Sequence, residues 1–125
     1  MEKIFSFGLQ PAGQPHPEQN PDTAYLRRQH LWLPASVVAT ILDGSQQQVY
    51  AAFEAATGRL LLASMADQAF KAAHECVMIM AKLRNADGDR SLSLQPFFID
   101  YALDDTDRPL DCEVVGGKLL SIALR

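Results

Sequence analysis

Cysteine, tryptophan, long apolar runs and excess positive charge are all scarce in this chain. Its two cysteines, Cys76 and Cys112, are too few for a disulfide framework or a cysteine-rich zinc scaffold, and in apolar, strand-like contexts they read as reduced and buried. The longest nearly uncharged apolar run, Cys76 to Ala81, is far short of the ~20 residues that a membrane crossing needs. The start, Met1-Glu2-Lys3-Ile4, leads into no long hydrophobic segment with a small-residue cleavage site. A cytoplasmic protein with no membrane partner is expected. Eleven Lys and Arg stand against fifteen Asp and Glu, a net charge of −4, which excludes a protein that coats nucleic acid over its whole surface.

What the chain has is one domain's worth of apolar residues and an internal repeat. At 125 residues and 48% hydrophobic, a single domain with one core is expected over residues 1–125. The first copy runs Arg28-Gln29-His30-Leu31-Trp32-Leu33-Pro34, Ala35 to Leu42, Asp43-Gly44, then Val49 to Ala63 folded about Thr57-Gly58-Arg59. The second runs Asp89-Arg90-Ser91-Leu92-Ser93-Leu94-Gln95-Pro96, Phe97 to Leu103, Asp104-Asp105, then Leu110 to Leu124 folded about Gly116-Gly117-Lys118. Half-domains this small must bury their apolar faces against each other. The repeats span approximately residues 25–64 and 76–125, joined by a helix over residues 65–75.

The period of the apolar residues assigns most elements. Met1 to Leu9 alternates as a strand, and Pro11, Gly13, Pro15, Pro17 and Pro21 make residues 10–22 a loop. Tyr25 to Leu33 resumes an extended pattern. Pro34 and Pro96 stand where helices begin, their missing N–H groups costing nothing in a first turn. Asp43-Gly44 stops the first helix and Asp104 to Asp107 the second. Ser64 reads as the cap of the connecting helix, with Asp67 three positions on. Cys76 to Leu83 either extends that helix or forms a strand; the strand is preferred, since the second repeat needs an opening strand as the first does.

Two basic groups mark the repeat entries: Arg27, Arg28 and His30, then Lys82, Arg84 and Arg90. Asp100, Asp104, Asp105, Asp107, Asp111 and Glu113 crowd the later part of the second copy. If the entries meet in the fold, a basic face and an acidic face result. No enzyme is expected. The three histidines, His16 in the proline loop, His30 beside Trp32 and His74 on the helix, share no motif with a nucleophile and an acid. His74 and Cys76 alone do not make a metal site, and Asp104, Asp105 and Asp107 lack the glycine and distal glutamate of a calcium loop; neither metal nor cofactor is expected. Trp32, Phe97, Phe98 and Tyr101 read as core packing.

The order strand, turn, strand ending in proline, short helix and glycine hairpin resembles the swapped-hairpin domain of AbrB-type transition-state regulators and MazE-type antitoxins. Two copies joined by a helix are similar to the MraZ family. The likeness is carried by Arg90-Ser91-Leu92-Ser93-Leu94-Gln95-Pro96, by the hairpin Asp111 to Leu120, and by the step from Arg59-Leu60-Leu61-Leu62-Ala63 into Asp67-Gln68-Ala69-Phe70. It implies an α+β, mostly β fold of two pseudo-symmetric swapped-hairpin, double-psi or AbrB-like halves around one barrel-like core. It also implies homo-oligomers and a small transcriptional regulator that binds duplex DNA, with Arg27, Arg28, His30, Lys82, Arg84 and Arg90 as the contact set. The entries depart from the family's Asp-x-x-x-Arg motif: the second reads Asp87-Gly88-Asp89-Arg90, one residue tighter and with an acid in the glycine position. The first has Gln29 and His30 for glycine and arginine. Those departures support the alternative expectation, a protein–protein interaction module on the same scaffold without DNA binding.

Overall fold

A computed structural model describes residues 23–42, 47–116 and 118–124. The expected strand Met1 to Leu9, the loop 10–22 and the helix stop at Asp43-Gly44 lie outside the described residues. Strands dominate. The described elements are β1 (Ala24–Arg27), β2 (His30–Leu33), α1 (Ala35–Val38), β3 (Gln48–Glu54), β4 (Arg59–Ser64), α2 (Gln68–Ala73), β5 (Val77–Met80), β6 (Lys82–Leu83), β7 (Arg90–Ser93), α3 (Gln95–Tyr101), β8 (Arg108–Leu110), β9 (Cys112–Val115) and β10 (Leu119–Ala123).

They form two antiparallel five-stranded sheets, β6-β7-β2-β1-β8 and β5-β3-β4-β10-β9. The mostly β class is as expected; among the described residues the sheets do not close into the expected barrel. The ladder breaks at two corners where the chain changes sheets within one residue. Ala81, fully buried, separates β5 from β6, its N–H donating to the Gln47 carbonyl at 2.7 Å. Asp111 separates β8 from β9 and accepts at its carbonyl from the Ala123 N–H at 3.0 Å. Corners of this kind let two twisted sheets enclose a core without a continuous ring of hydrogen bonds.

The strand pairings show a regularity. Exchanging β1, β2, β3 and β4 for β5–β6, β7, β8–β9 and β10 turns the pair β1·β2 into β6·β7, β3·β4 into β9·β10, and β3·β5 into β8·β1. The pairs β2·β7 and β4·β10 map onto themselves.

Alternation along each strand decides which side chains meet between the sheets. Leu26, Leu31, Leu33, Leu92 and Leu110 from the first sheet and Val49, Ala51, Leu60, Leu62, Leu120 and Ile122 from the second belong to one buried cluster, completed by Val37 and Val38 of α1 and Phe97 and Phe98 of α3. The far face of the second sheet carries a smaller cluster of Tyr50, Ala52, Leu61 and Ala63, covered by Phe70 of α2. Cys112 packs against the first cluster and Cys76 against the second; both are partly buried.

Three local expectations change. Tyr25 to Leu33 is a hairpin rather than one extended run, with Arg28 (φ 51°) and Gln29 (φ 66°) in its two-residue turn. Both central residues at positive φ match the twist of the flanking strands. Asp67, not Ser64, caps α2, its Oδ1 accepting from the Phe70 N–H at 3.0 Å, while Ser64 Oγ accepts from the Ala66 N–H at 3.1 Å. The short side chain nearest the helix wins because only it reaches the third amide. The connecting helix is correspondingly short, Gln68–Ala73 rather than residues 65–75, while the preferred strand after it is found as β5 and β6 on the two sides of Ala81.

Gly88, in the β6–β7 turn, has φ +100°, and a Cβ there would lie 3.2 Å from the Ala35 Cβ. Gly88→Ala therefore meets both a disfavoured backbone region and the start of α1. A loss of about 2 kcal/mol is expected, measured as a drop in the urea midpoint with an unchanged slope.

Candidate functional site

The outward face of the first sheet gathers the residue types that can bind a polyanion. Register and alternation lay them out in rows. One row crosses all five strands as Lys82, Ser91, Trp32, Tyr25 and Pro109. The next, toward the β1–β2 turn, holds Ser93, His30 and Arg27. Two residues along a strand separate them, about 7 Å. Leu31, Leu33, Leu26 and Leu92, between these positions in sequence, point into the core. Trp32 belongs to neither core cluster and is only partly buried, which corrects its expected packing role. Tyr101 is likewise exposed, its ring 4.7 Å from that of Phe53, whereas Phe97 and Phe98 are buried as expected.

The six expected contact residues part company here. Arg27, His30 and Lys82 lie exposed on this face. Arg84 joins it from the strand end, its Nε donating to Ser91 Oγ, which is 2% exposed. Arg90 faces away, its guanidinium donating to the Ala81 carbonyl at 3.0 Å and bracing the sheet corner. Arg28 sits in the turn itself. The two entry turns do not come together. They occupy opposite ends of the antiparallel β2·β7 ladder, in which His30 pairs with Ser93 and Leu33 with Arg90. What the fold unites is the strands behind the turns.

Carboxylates border the face at both ends. At the β1–β2 turn Asp107 Oδ1 accepts from the Arg28 N–H at 2.8 Å, and Asp105 Oδ2 from the Gln29 amide at 3.0 Å. At the other end Asp89 accepts from Trp32 Nε1 (3.3 Å), the Ala35 N–H (2.9 Å) and Asn85 Nδ2 (3.0 Å). These acids engage backbone amides and neutral side chains, and neither central row contains one. His30 Nδ1 lies 3.0 Å from the Arg28 carbonyl. A carbonyl only accepts, so in this contact Nδ1 is the donor.

Nearby, Thr106 donates twice to Asp104 Oδ1, through its hydroxyl and its amide. Those hydrogen bonds hold the Asp104 carboxyl below its ordinary pKa against slight desolvation, with a further contribution from Arg108. Arg108 itself donates to the Asp104, Thr106 and Leu124 carbonyls.

A second surface has the opposite character. Val77, Met78 and Met80 of β5 and Leu83 of β6 are each half exposed or more, Met78 and Leu83 at 58%. The strand β5 pairs only with β3 among the described residues. Two open clefts, of about 440 and 480 Å³, lie beside the ends of α1 and α3; Asp67 and Lys118 line one, and Asp104 and Arg108 the other. Among the described residues no group of three or more His, Cys, Asp or Glu is placed to hold a metal ion, and no helix is long and apolar enough to cross a membrane.

Compared with known protein families, curated proteins and solved structures, the chain matches none, and its functional reading rests on the geometry of these surfaces.

Proposed function

We propose that the chain is a small DNA-binding protein whose contact surface is the outward face of the first sheet, with Arg27, His30, Lys82 and Arg84 as the phosphate-directed set. The observation that carries this reading is the convergence of cations from both halves of the sequence onto two acid-free rows of one sheet. Arg90 and Arg28 are assigned structural places instead. The scaffold is read as two swapped-hairpin halves of the AbrB type, a reading supported by strand pairings that survive exchange of the halves. Assembly into homo-oligomers belongs to the same reading, and light scattering over a range of concentrations tests it.

With a net charge of −4, binding is local and involves few phosphates, so it falls with salt along a shallow slope. The double variant Arg27→Ala, Lys82→Ala removes two exposed cations, should leave the fold intact, and should weaken DNA affinity about tenfold at low salt while flattening that slope. Fluorescence anisotropy with a labelled oligonucleotide measures both. No affinity at low salt for any DNA overturns the proposal.

A protein-interaction module is the second reading, favoured by the exposed Val77, Met78, Met80 and Leu83. A partly open apolar edge is a place where partners add. On that reading Met78→Lys with Met80→Lys abolishes capture of a partner that the Arg27 and Lys82 variant still captures.

A further inference from the structure

We infer that the nucleic acid taken by this face is single-stranded, with an unpaired base stacked on Trp32. This rests on the DNA-binding reading and narrows it. Trp32 and Tyr25 stand directly opposite each other on neighbouring strands, which sets their Cβ atoms about 5 Å apart. Neither contributes to either core cluster, although a tryptophan ordinarily repays burial more than any other side chain. The indole is fixed at one edge by its Nε1–H donating to Asp89 at 3.3 Å, and the residue is only partly buried. A partly exposed ring fixed at its edge offers a stacking surface, and base stacking on such rings is tolerant of sequence.

The cations complete the platform. Lys82 ends the row that contains Trp32, Arg27 and His30 form the row on one side, and Arg84 closes the other side over Ser91. A strand with one base over the indole therefore keeps its phosphates at a basic rim. A duplex cannot use this arrangement, because its base faces are closed by stacking and its base edges are read in grooves. The face is a sheet, with no described helix or ribbon projecting from it to enter a groove. The small number of cations also suits a short contact with one strand better than a duplex, whose charge density is twice as high.

Trp32 is the chain's single tryptophan, so its emission reports on its own site. The experiment titrates the intact protein with an oligothymidylate of about 15 nucleotides, with an oligouridylate of equal length, and with a mixed-sequence duplex. Saturable quenching by a single strand, with affinity at least about tenfold above the duplex, is the expected result, and the two single-stranded arms compare a DNA strand with an RNA strand. Trp32→Leu should cost about tenfold in single-strand affinity, read by anisotropy of a labelled strand, while Trp32→Phe, which keeps a ring but loses the hydrogen bond to Asp89, should retain most of it. A role in folding alone predicts that both variants fall together, and that outcome overturns the stacking inference. Duplex affinity equal to or above single-strand affinity overturns the inference and leaves the DNA-binding reading standing. Absence of binding to all three probes overturns both.

Discussion

Leu62→Ala should lower the free energy of unfolding by about 2–5 kcal/mol, and Leu120→Ala by a similar amount. Both side chains are fully buried, and they face each other across β4 and β10 at the centre of the second sheet. Each truncation removes apolar surface from the main cluster and leaves a cavity that two hydrogen-bonded sheets cannot collapse to fill. Set against the roughly 5–15 kcal/mol that stabilises a typical domain, either change is large. The double variant should lose less than the sum of the two, since both truncations open the same cavity. Urea unfolding followed by far-ultraviolet circular dichroism, with the four proteins treated as a cycle, measures the coupling. Leu61→Ala is the control: Leu61 points to the opposite face, under α2, and should cost less. Losses below about 1 kcal/mol for both Leu62 and Leu120 would show that the core does not pass through this pair.

The positions that were legible in sequence are those where local chemistry and tertiary demand agree. Gly58, at φ +71°, turns the β3–β4 hairpin, and Gly116, at φ +62°, turns β9 into β10; both were readable as glycines between alternating apolar runs. The helix α3 likewise begins beside its proline, Pro96. Agreement fails where a turn uses unlikely residues. Arg28 and Gln29 carry no turn signature, and their positive φ values are held from outside by Asp107, by Asp105 and by the Leu94 N–H donating to the Gln29 carbonyl at 2.9 Å. Those partners come from the other half of the chain, and a local pattern contains no trace of them. The missed corner at Ala81 has the same origin: a small residue inside an apolar run becomes a sheet change only because Gln47 and Arg90 claim its backbone.

The candidate site was half legible for a related reason. Sequence placed six basic residues at two entries but could not say which faced outward, because a strand's face is set by register with its neighbours. Once β2 pairs with β7, parity sends His30 and Trp32 outward with Ser91 and Ser93, and sends Arg90 to the corner. Trp32 was expected inside because large aromatic residues usually are. The clue available in sequence was its alternation with Leu31 and Leu33, both fully buried.

Asp89→Ala should cost about 2 kcal/mol at neutral pH, from a lost cap and an abandoned indole donor. Read in sequence as an acid intruding on a DNA-contact motif, Asp89 instead ties the β6–β7 turn to the opposite half of the chain. The first residue of α1 follows Pro34, which offers no side-chain cap, and Asp89 Oδ1 supplies one by accepting from the Ala35 N–H. Its other oxygen accepts from Trp32 and Asn85. Partial burial pushes the carboxyl's pKa up, but the hydrogen bonds from Asn85, the Ala35 amide and Trp32 outweigh it and hold the group below its ordinary value. A carboxyl depressed in the folded state stabilises the fold fully above its unfolded pKa of about 3.9, and that contribution is lost as pH falls through the lower folded value. The gap between wild type and Asp89→Ala should therefore be constant from pH 7 down to about pH 5 and narrow below about pH 4. Asp104, also depressed, is common to both proteins and cancels in the difference. Urea titrations of the pair at pH 7, 5 and 3 make the measurement, and a gap that stays unchanged at pH 3 would mean that the neutral carboxyl caps α1 as well as the charged one does.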